Sequence, residues 1–278
     1  MTAQALGAHT FGFVWQGDAA AAFEQIGAAG FRQIQLMATP PHFDPWVADA
    51  GRTARLRGIL DRYGMSLLAL DLASSDVNLA SPSRDVVDFA VQAYERAIER
   101  ASELGARWIC VGSGRRHALL PKANHQLMET FRPAFARLRE AAQRRGVDVI
   151  LENHPQGLLA DATTIDRFLE AEGDGSVRVI YDVANAFAIG EDPVAGLDRL
   201  WPRLGIVHLS DSPKGQWRHD PIGSGEIDFP AIASLLGRRR YAGDIVLEIL
   251  SEAPLPGLVD GVAALEAAGL RSSKLRPS

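Results

Sequence analysis

Residues 147–154 read Val-Asp-Val-Ile-Leu-Glu-Asn-His, a short apolar run that ends at Glu152. Residues 177–182 read Val-Arg-Val-Ile-Tyr-Asp, and two later runs end at His208 and Glu248. Short runs rich in Val, Ile and Leu are typical of strands in a parallel sheet that is covered on both faces. The second half of the chain therefore predicts consecutive parallel strands, each with one polar side chain at or near its C-terminal end.

The same pattern extends along the whole chain. Apolar runs predict strands at Thr10–Trp15, Gln33–Met37, Leu67–Leu72, Trp108–Val111, Val147–Leu151, Val177–Tyr181, Gly205–Leu209 and Ile245–Ile249. Apolar residues at helical spacing and capping residues predict helices between them, at Ala19–Gly30, Gly51–Gly64, Ser83–Gly105, His125–Gly146, Asp161–Gly173, Pro193–Leu204, Asp228–Arg239 and Leu258–Gly269.

Eight strand–helix units are the number found in a closed barrel. We therefore expect the fold class α/β, with one (β/α)8 TIM barrel domain over residues 1–278. An open doubly wound sheet is the alternative. It usually carries a G-x-G-x-x-G phosphate turn after its first strand. Here Trp15 is followed by Gln16, Gly17 and Asp18, which lack that motif.

Composition narrows the classes of function. The formal net charge is −5, whereas nucleic-acid-binding proteins usually carry a basic surplus. The single cysteine, Cys110, excludes an intrachain disulfide and a cysteine-based zinc site, which favours a cytoplasmic protein. No apolar run approaches the roughly 18 residues of a membrane span. We expect neither a nucleic-acid nor a membrane partner.

Four of the strand-end residues predict a metal site. A lone carboxylate at a strand end usually forms a salt bridge or caps a loop, but Glu152, Asp182, His208 and Glu248 follow one another on consecutive predicted strands. Burying three carboxylates together is costly, and a divalent cation relieves the cost. Three carboxylates with one imidazole suit Mn²⁺, Mg²⁺, Co²⁺ or Zn²⁺. We expect one such ion, with coordination positions left open for a substrate.

Several segments carry a resemblance to a known superfamily. They are Leu151-Glu152-Asn153, Tyr181-Asp182-Val183-Ala184-Asn185, Val207-His208-Leu209-Ser210-Asp211, Gly223-Ser224-Gly225-Glu226-Ile227-Asp228-Phe229 and Leu247-Glu248-Ile249. With them the chain resembles the xylose isomerase-like TIM barrels, the superfamily of sugar phosphate isomerases and epimerases. The resemblance covers nearly the whole chain and is most specific over residues 148–250. It implies a small carbohydrate-like substrate and a homodimer or homotetramer.

The resemblance also implies roles for the four residues. All four would bind one divalent metal, and Glu152 and Glu248 would in addition be the catalytic acid and base. A metal on the substrate oxygens stabilises the ene-diolate that forms when a proton alpha to a carbonyl is removed. Return of the proton to the opposite face gives epimerisation, and transfer to the adjacent carbon gives aldose–ketose isomerisation. Two departures disfavour a ketohexose epimerase: Asn185 and Leu158 stand where many ketose epimerases carry a His and a Glu.

Three alternatives remain open. The segment from His154 is similar to dehydroshikimate dehydratase relatives, which favours a metal-dependent lyase of the inosose or 3-dehydroshikimate type. An endonuclease IV-like nuclease shares the barrel, but its three-metal site uses many histidines and this chain has 7. A barrel that binds a ligand without catalysis is the third alternative.

Further residues are candidates for contact with the substrate. We expect this role for His154, Asn185, Lys214, Arg218 and Trp15. Gly223-Ser224-Gly225 is glycine-rich, but a lone G-x-G is weak evidence for a phosphate site. It predicts instead a turn before a helix with Asp228 as its N-cap.

Overall fold

A computed structural model describes residues 4–73, 76–117, 119, 122–173, 175–273 and 275. Its strands form one closed parallel barrel in the order of the chain, from β1 to β8. They are β1 (Leu6–His9), β2 (Gln33–Ala38), β3 (Ser66–Leu72), β4 (Trp108–Gly112), β5 (Asp148–Glu152), β6 (Arg178–Asp182), β7 (Leu204–Leu209) and β8 (Asp244–Leu247). β8 pairs with β1 and closes the ring, which confirms the predicted (β/α)8 TIM barrel.

Helices connect successive strands. They are α1 (Ala19–Ala28), α2 (Ala50–Tyr63), α3 (Arg84–Leu104), α4 (Asn124–Arg144), α5 (Ala162–Glu172), α6 (Val183–Ala188), α7 (Pro193–Arg199), α8 (Phe229–Arg238) and α9 (Pro254–Ala267). Asp18 and Asp161 cap α1 and α5 by accepting a backbone amide, as their side chains favour. Among the described residues, no helix is long and apolar enough to cross a bilayer.

The first predicted strand is wrong. The strand is Leu6–His9, and part of the predicted run, Phe11–Phe13, forms a 3₁₀ turn instead. The turn begins where the Phe13 amide donates to the carbonyl of Thr10. The real strand contains Gly7 and Ala8, whose small side chains give little apolar signal, whereas the bulky aromatic residues beyond it mimic a strand.

The other differences concern element boundaries. The last strand ends at Leu247 rather than at Ile249, and the last helix begins at Pro254, ahead of the predicted Leu258. The predicted helix Pro193–Leu204 is divided into α7 and a 3₁₀ turn at Trp201–Arg203. The short α6 was not predicted, because it starts directly at the end of β6 with no intervening loop.

Apolar side chains pack in two places. The larger core lies between the barrel and its helices and includes Phe23, Phe131 and Phe135. A separate cluster contains residues from successive strands of the barrel, namely Leu68, Ala69, Trp108, Cys110, Ile150, Ile180, Ile206 and Val246. We call its four aliphatic members from β5 to β8 the aliphatic layer (Ile150, Ile180, Ile206 and Val246). Each is fully buried.

Candidate metal centre and active site

The alternation of side chains along a strand places the site directly above the aliphatic layer. Residues two apart along extended chain point to the same side, so each member of the layer is followed, two residues later, by one polar residue at the end of its strand or directly after it. These polar residues are Glu152, Asp182, His208 and Glu248. Asp182 pairs with His208 in register across β6 and β7. All four therefore meet at the C-terminal end of the barrel, where TIM-barrel active sites lie.

The imidazole of His208 is the centre of the group. Its Nδ1 lies 3.0 Å from Glu248 Oε2, 3.2 Å from Glu152 Oε1 and 3.7 Å from Asp182 Oδ2. The side chains of His208, Asp182 and Glu248 are nearly inaccessible, whereas 20% of the Glu152 side chain is exposed. The open side of the group is therefore at Glu152.

Burial and mutual repulsion shift the pKa values of these groups. Burial raises the pKa of Glu152 to about 7, although the hydrogen bond to His208 opposes the shift. Burial alone would lower the pKa of His208, but hydrogen bonds to the surrounding carboxylates outweigh it and raise that pKa well above its ordinary value. The group thus carries more negative charge than its one imidazole can neutralise.

The donor set fits a divalent cation. One ligand atom from each of the four residues lies within 4.8 Å of the other three. Oδ2 of Asp182 is buried and has no hydrogen-bond partner in the part of the chain described. An orphaned buried carboxylate oxygen is costly unless a cation meets it. Three oxygen ligands and one nitrogen suit the hard to borderline ions Mg²⁺, Mn²⁺, Co²⁺ and Zn²⁺.

Three buried residues that sequence reasoning missed lie on the other side of His208. Its Nε2 is 3.0 Å from Gln35 Oε1, and Gln35 Nε2 donates to Asp71 Oδ2 at 2.6 Å. The same oxygen of Asp71 lies 2.5 Å from His9 Nε2. We call these residues the polar chain (Gln35, Asp71 and His9). Gln35 and Asp71 stand inside predicted strands, where a polar residue within an apolar run was the available signal; His9 lies outside the predicted first strand.

His219 is a further residue close to the metal group. Its Nδ1 lies 3.7 Å from Asp182 Oδ2 and 3.8 Å from Glu248 Oε2, and it pairs with Ser210 Oγ at 3.0 Å. It belongs to the loop between β7 and α8, where sequence reasoning favoured its neighbour Arg218. The structure therefore brings a second imidazole to the edge of the site.

Two of the predicted substrate residues lie beside the metal group. Asn185 is buried, and its amide hydrogen bonds go to the protein: Nδ2 donates to the carbonyl of Asn153, and Oδ1 accepts from Trp217 Nε1 at 2.7 Å. His154 packs edge-on against the ring of Trp217, with 4.8 Å between ring centroids. Burial lowers the pKa of His154 to about 4, and the positive charge of Arg115 contributes. Trp217, which was not predicted, is 42% exposed.

The other three predicted substrate residues are exposed to solvent. Arg218 is exposed and forms an ion pair with Asp220 at 2.7 Å. Lys214 is exposed, and its backbone amide donates to Glu226. Trp15 is 84% exposed in the segment after the 3₁₀ turn of Phe11–Phe13. These three positions remain predictions for substrate contact.

The glycine-rich segment binds a carboxylate of the protein itself. The amides of Gly223 and Gly225 both donate to Asp211 Oδ2, while Oδ1 of the same residue accepts from Ser212 and Ile227. A Cβ atom on Gly225 would lie 2.4 Å from Asp211 Oδ1, so glycine is required there. The segment is therefore a turn ordered by Asp211, as the sequence predicts. Asp228 caps α8.

Comparison with known proteins identifies a family for this chain. A sequence model of the xylose isomerase-like TIM barrel family matches residues 23–268. The chain is 29% identical over 214 residues to "Probable endonuclease 4" of Mycobacterium ulcerans, covering 72% of this chain and 79% of that protein. It is 24% identical over 226 residues to inosose dehydratase of Geobacillus kaustophilus, covering 69% and 70%.

An epimerase is similar over a larger part of the chain. The ketose 3-epimerase of Arthrobacter globiformis is 24% identical over 256 residues, which cover 88% of this chain and 83% of the epimerase. The crystal structure of a D-tagatose 3-epimerase-like protein superposes with a TM-score of 0.82 at 19% identity, covering 96% of this chain and 98% of that one. This likeness shows the shared fold. The relatives named here are enzymes, in agreement with the prediction of an enzyme.

Proposed function

The chain belongs to the xylose isomerase-like TIM barrel family, and from that premise we propose that it is a divalent-metal-dependent isomerase or epimerase. Its substrate would be a small sugar, sugar derivative or cyclic polyol ketone. One observation carries the proposal: Glu152 and Glu248 approach the same nitrogen of His208, at 3.2 and 3.0 Å, from β5 and β8. Two carboxyl groups that converge from separate strands are suited to proton transfer at a substrate held between them.

Glu152, Asp182, His208 and Glu248 would hold the metal. When bound, the ion would supply positive charge that stabilises the negative charge developing on substrate oxygens after proton removal. The aliphatic layer below the site excludes water from that side. Low access to water strengthens the electrostatic interactions inside the site.

Glu152 is suited to move a proton. It stands at the C-terminal end of β5, and Oε1 lies 3.2 Å from His208 Nδ1. Its side chain is 20% exposed, so a substrate would approach the group from this side. Glu248 is buried deeper and would act as its partner, one residue removing a proton from carbon and the other returning it.

Exchange of carbon-bound hydrogen tests the proposal. The metal-loaded protein is incubated in deuterated water with ketoses, inososes and hydroxy-ketoacids, and deuterium at substrate carbon is measured by NMR. We expect exchange with at least one substrate class. Glu152→Gln and Glu248→Gln should each lower its rate by about 10²–10⁴-fold, the usual contribution of a positioned acid or base.

Asp148→Asn is the matched control, because Asp148 begins the same strand that Glu152 ends and is exposed at the opposite end of the barrel. It should exchange like the wild type. Absence of exchange across the whole panel in the metal-loaded wild type would contradict the proposal.

A dehydratase is the second candidate. His154 favours it, because Nδ1 accepts from the Gln156 amide, which leaves the proton of the neutral ring on Nε2 for a departing hydroxyl. The similarity to an inosose dehydratase points the same way. A conjugated product that absorbs in the ultraviolet would identify this reaction. Since other relatives are named as endonucleases, cleavage of a duplex with an abasic site is the third assay, and cleavage would overturn the isomerase proposal.

A further inference from the structure

The polar chain makes a continuous line of hydrogen bonds that ends at the metal group. It runs from β1 through β3 and β2 to His208 on β7, and every side chain in it is buried. We propose that Gln35 is a positioning residue: it fixes the tautomer of His208 with the proton on Nε2, so that Nδ1 is presented to the metal. The inference rests on the metal site of the proposed function and deepens it.

The direction of the line is set by a backbone amide. The amide of Phe11 donates to Nδ1 of His9 at 3.0 Å, and an amide N–H has no other role available to it. The proton of the neutral His9 ring is therefore on Nε2, and it is donated to Asp71 Oδ2. The backbone amide of Phe11 therefore fixes the direction of the hydrogen bond between His9 and Asp71.

Asp71 sets the orientation of the Gln35 side-chain amide. An ionised carboxylate can only accept hydrogen bonds, so Gln35 must turn its NH₂ group towards Asp71 Oδ2. The carbonyl oxygen of the same amide then faces His208. Because that oxygen only accepts, His208 must donate from Nε2 across the 3.0 Å contact.

The alternative tautomer conflicts with the same contacts. A neutral ring with its only proton on Nδ1 would leave a bare Nε2 opposite Gln35 Oε1, two acceptors 3.0 Å apart in a buried place. In that tautomer the proton would also occupy the nitrogen that has to be bare when a metal binds among Glu152, Asp182 and Glu248. A hydrogen-bond partner on the second nitrogen of a ligating histidine orients the ring, and its loss typically costs 10–100-fold in metal affinity.

Gln35→Met tests the inference, because methionine keeps the length of the side chain and removes both polar ends. Titration with Mn²⁺ alone should show affinity about 10–100-fold weaker than in the wild type. Gln33→Met is the matched control: Gln33 lies two residues earlier on β2 and binds Asp244 Oδ1, away from His208. Its Mn²⁺ affinity should stay within about threefold of the wild type, below the range expected for loss of such a partner.

Tautomers are read directly by ¹⁵N NMR of the wild type with labelled histidine, with and without Zn²⁺. Nε2 of His208 should carry a proton in both states. A proton on Nδ1 in the Zn²⁺-loaded protein, or unchanged Mn²⁺ affinity in folded Gln35→Met, would overturn the inference. If the wild type binds no metal, the proposed function fails, and the Nε2 proton of His208 in the metal-free protein tests this inference separately: slower exchange of that proton with solvent in the wild type than in folded Gln35→Met supports it, and equal exchange overturns it.

Discussion

Asp182 shows how one residue serves both the fold and the site. Its Oδ1 accepts from the amide of Asn185 and caps α6, while Oδ2 is the buried oxygen without a hydrogen-bond partner among the described residues. The two oxygens therefore have separable functions. A substitution that keeps a capping oxygen and removes the charge can distinguish them.

We expect Asp182→Asn to lower metal affinity while the metal-free protein stays folded. Asn caps a helix about as well as Asp, so the unfolding free energy of the metal-free protein should change by less than about 1 kcal/mol. Metal affinity should fall at least about tenfold, as for loss of a ligand or its support. Asp182→Ala is the comparison variant and should also lose the cap, at about 1 kcal/mol. Urea unfolding and Mn²⁺ titration measure the two effects; an unchanged affinity in Asp182→Asn would exclude it as a ligand.

His42 gives a pH dependence that is independent of the metal group. It is buried, and its Nδ1 donates to the carbonyl of Gly17 at 2.9 Å. Burial lowers its pKa below the ordinary 6.5. The unfolded chain therefore takes up a proton as the pH falls through 6.5 while the folded protein does not, so His42 makes the unfolding free energy decrease with falling pH.

His42→Gln should remove this contribution, since Gln stays neutral. Its unfolding free energy, from urea titrations at several pH values below 6.5, should decrease less with falling pH than that of the wild type. His125→Gln, at an exposed position on α4, is the control and should retain the wild-type slope. Equal slopes for all three proteins would contradict the assignment to His42.

At the scale of elements, the strand ends of the second half could be predicted because each apolar run stops at a charged or imidazole side chain. The polar chain could not be predicted in the same way. β1 was misplaced because Gly7 and Ala8 give little apolar signal, so His9 was not seen as a strand end. Gln35 and Asp71 lie inside buried strands, where their partners come from other strands and no local pattern shows the pairing.

The loop between β7 and α8 depends on Asp211, a residue that local pattern did not single out. Its two oxygens accept four backbone amides, from Ser212, Gly223, Gly225 and Ile227. The loop also carries His219 and Trp217 to the mouth of the site. A single carboxylate therefore orders an element on which several site contacts depend.

Asp211→Asn should destabilise the protein by about 1–3 kcal/mol, because the new NH₂ group faces amide donors and leaves them unsatisfied. Asp228→Asn is the matched control at the start of α8, where Asn caps as well as Asp and little change is expected. Urea unfolding measures both. Equal stabilities for the two variants would show that the four amide contacts do not order the loop.

For the whole molecule, the proposed metal site implies a stability that depends on metal. Three carboxylates around one imidazole repel in the metal-free protein, and a bound cation removes that repulsion. Ligands that bind only the folded state stabilise it by mass action. The closed barrel connects all four residues to the global fold, because each lies in or directly after the C-terminal end of a core strand.

Mn²⁺ at about 100 times its dissociation constant should therefore add about 2.7 kcal/mol of stability. For a chain of this size the melting temperature should rise by roughly 5–10 °C. Calorimetry with Mn²⁺, and again after removal by a chelator, measures the rise and its reversal. Asp182→Asn should show a much smaller rise; an equal rise in that variant would place the metal elsewhere.

The aliphatic layer has a kinetic consequence. Ile150, Ile180, Ile206 and Val246 are fully buried beneath the carboxylates, and the more exposed side of the group is at Glu152. In the proposed reaction, substrate and product would therefore use the same side of the site, and a product that differs from its substrate at one carbon would fit the same contacts. If the proposed function holds, the product should compete with the substrate for the site, and net turnover would depend on a later reaction that consumes the product.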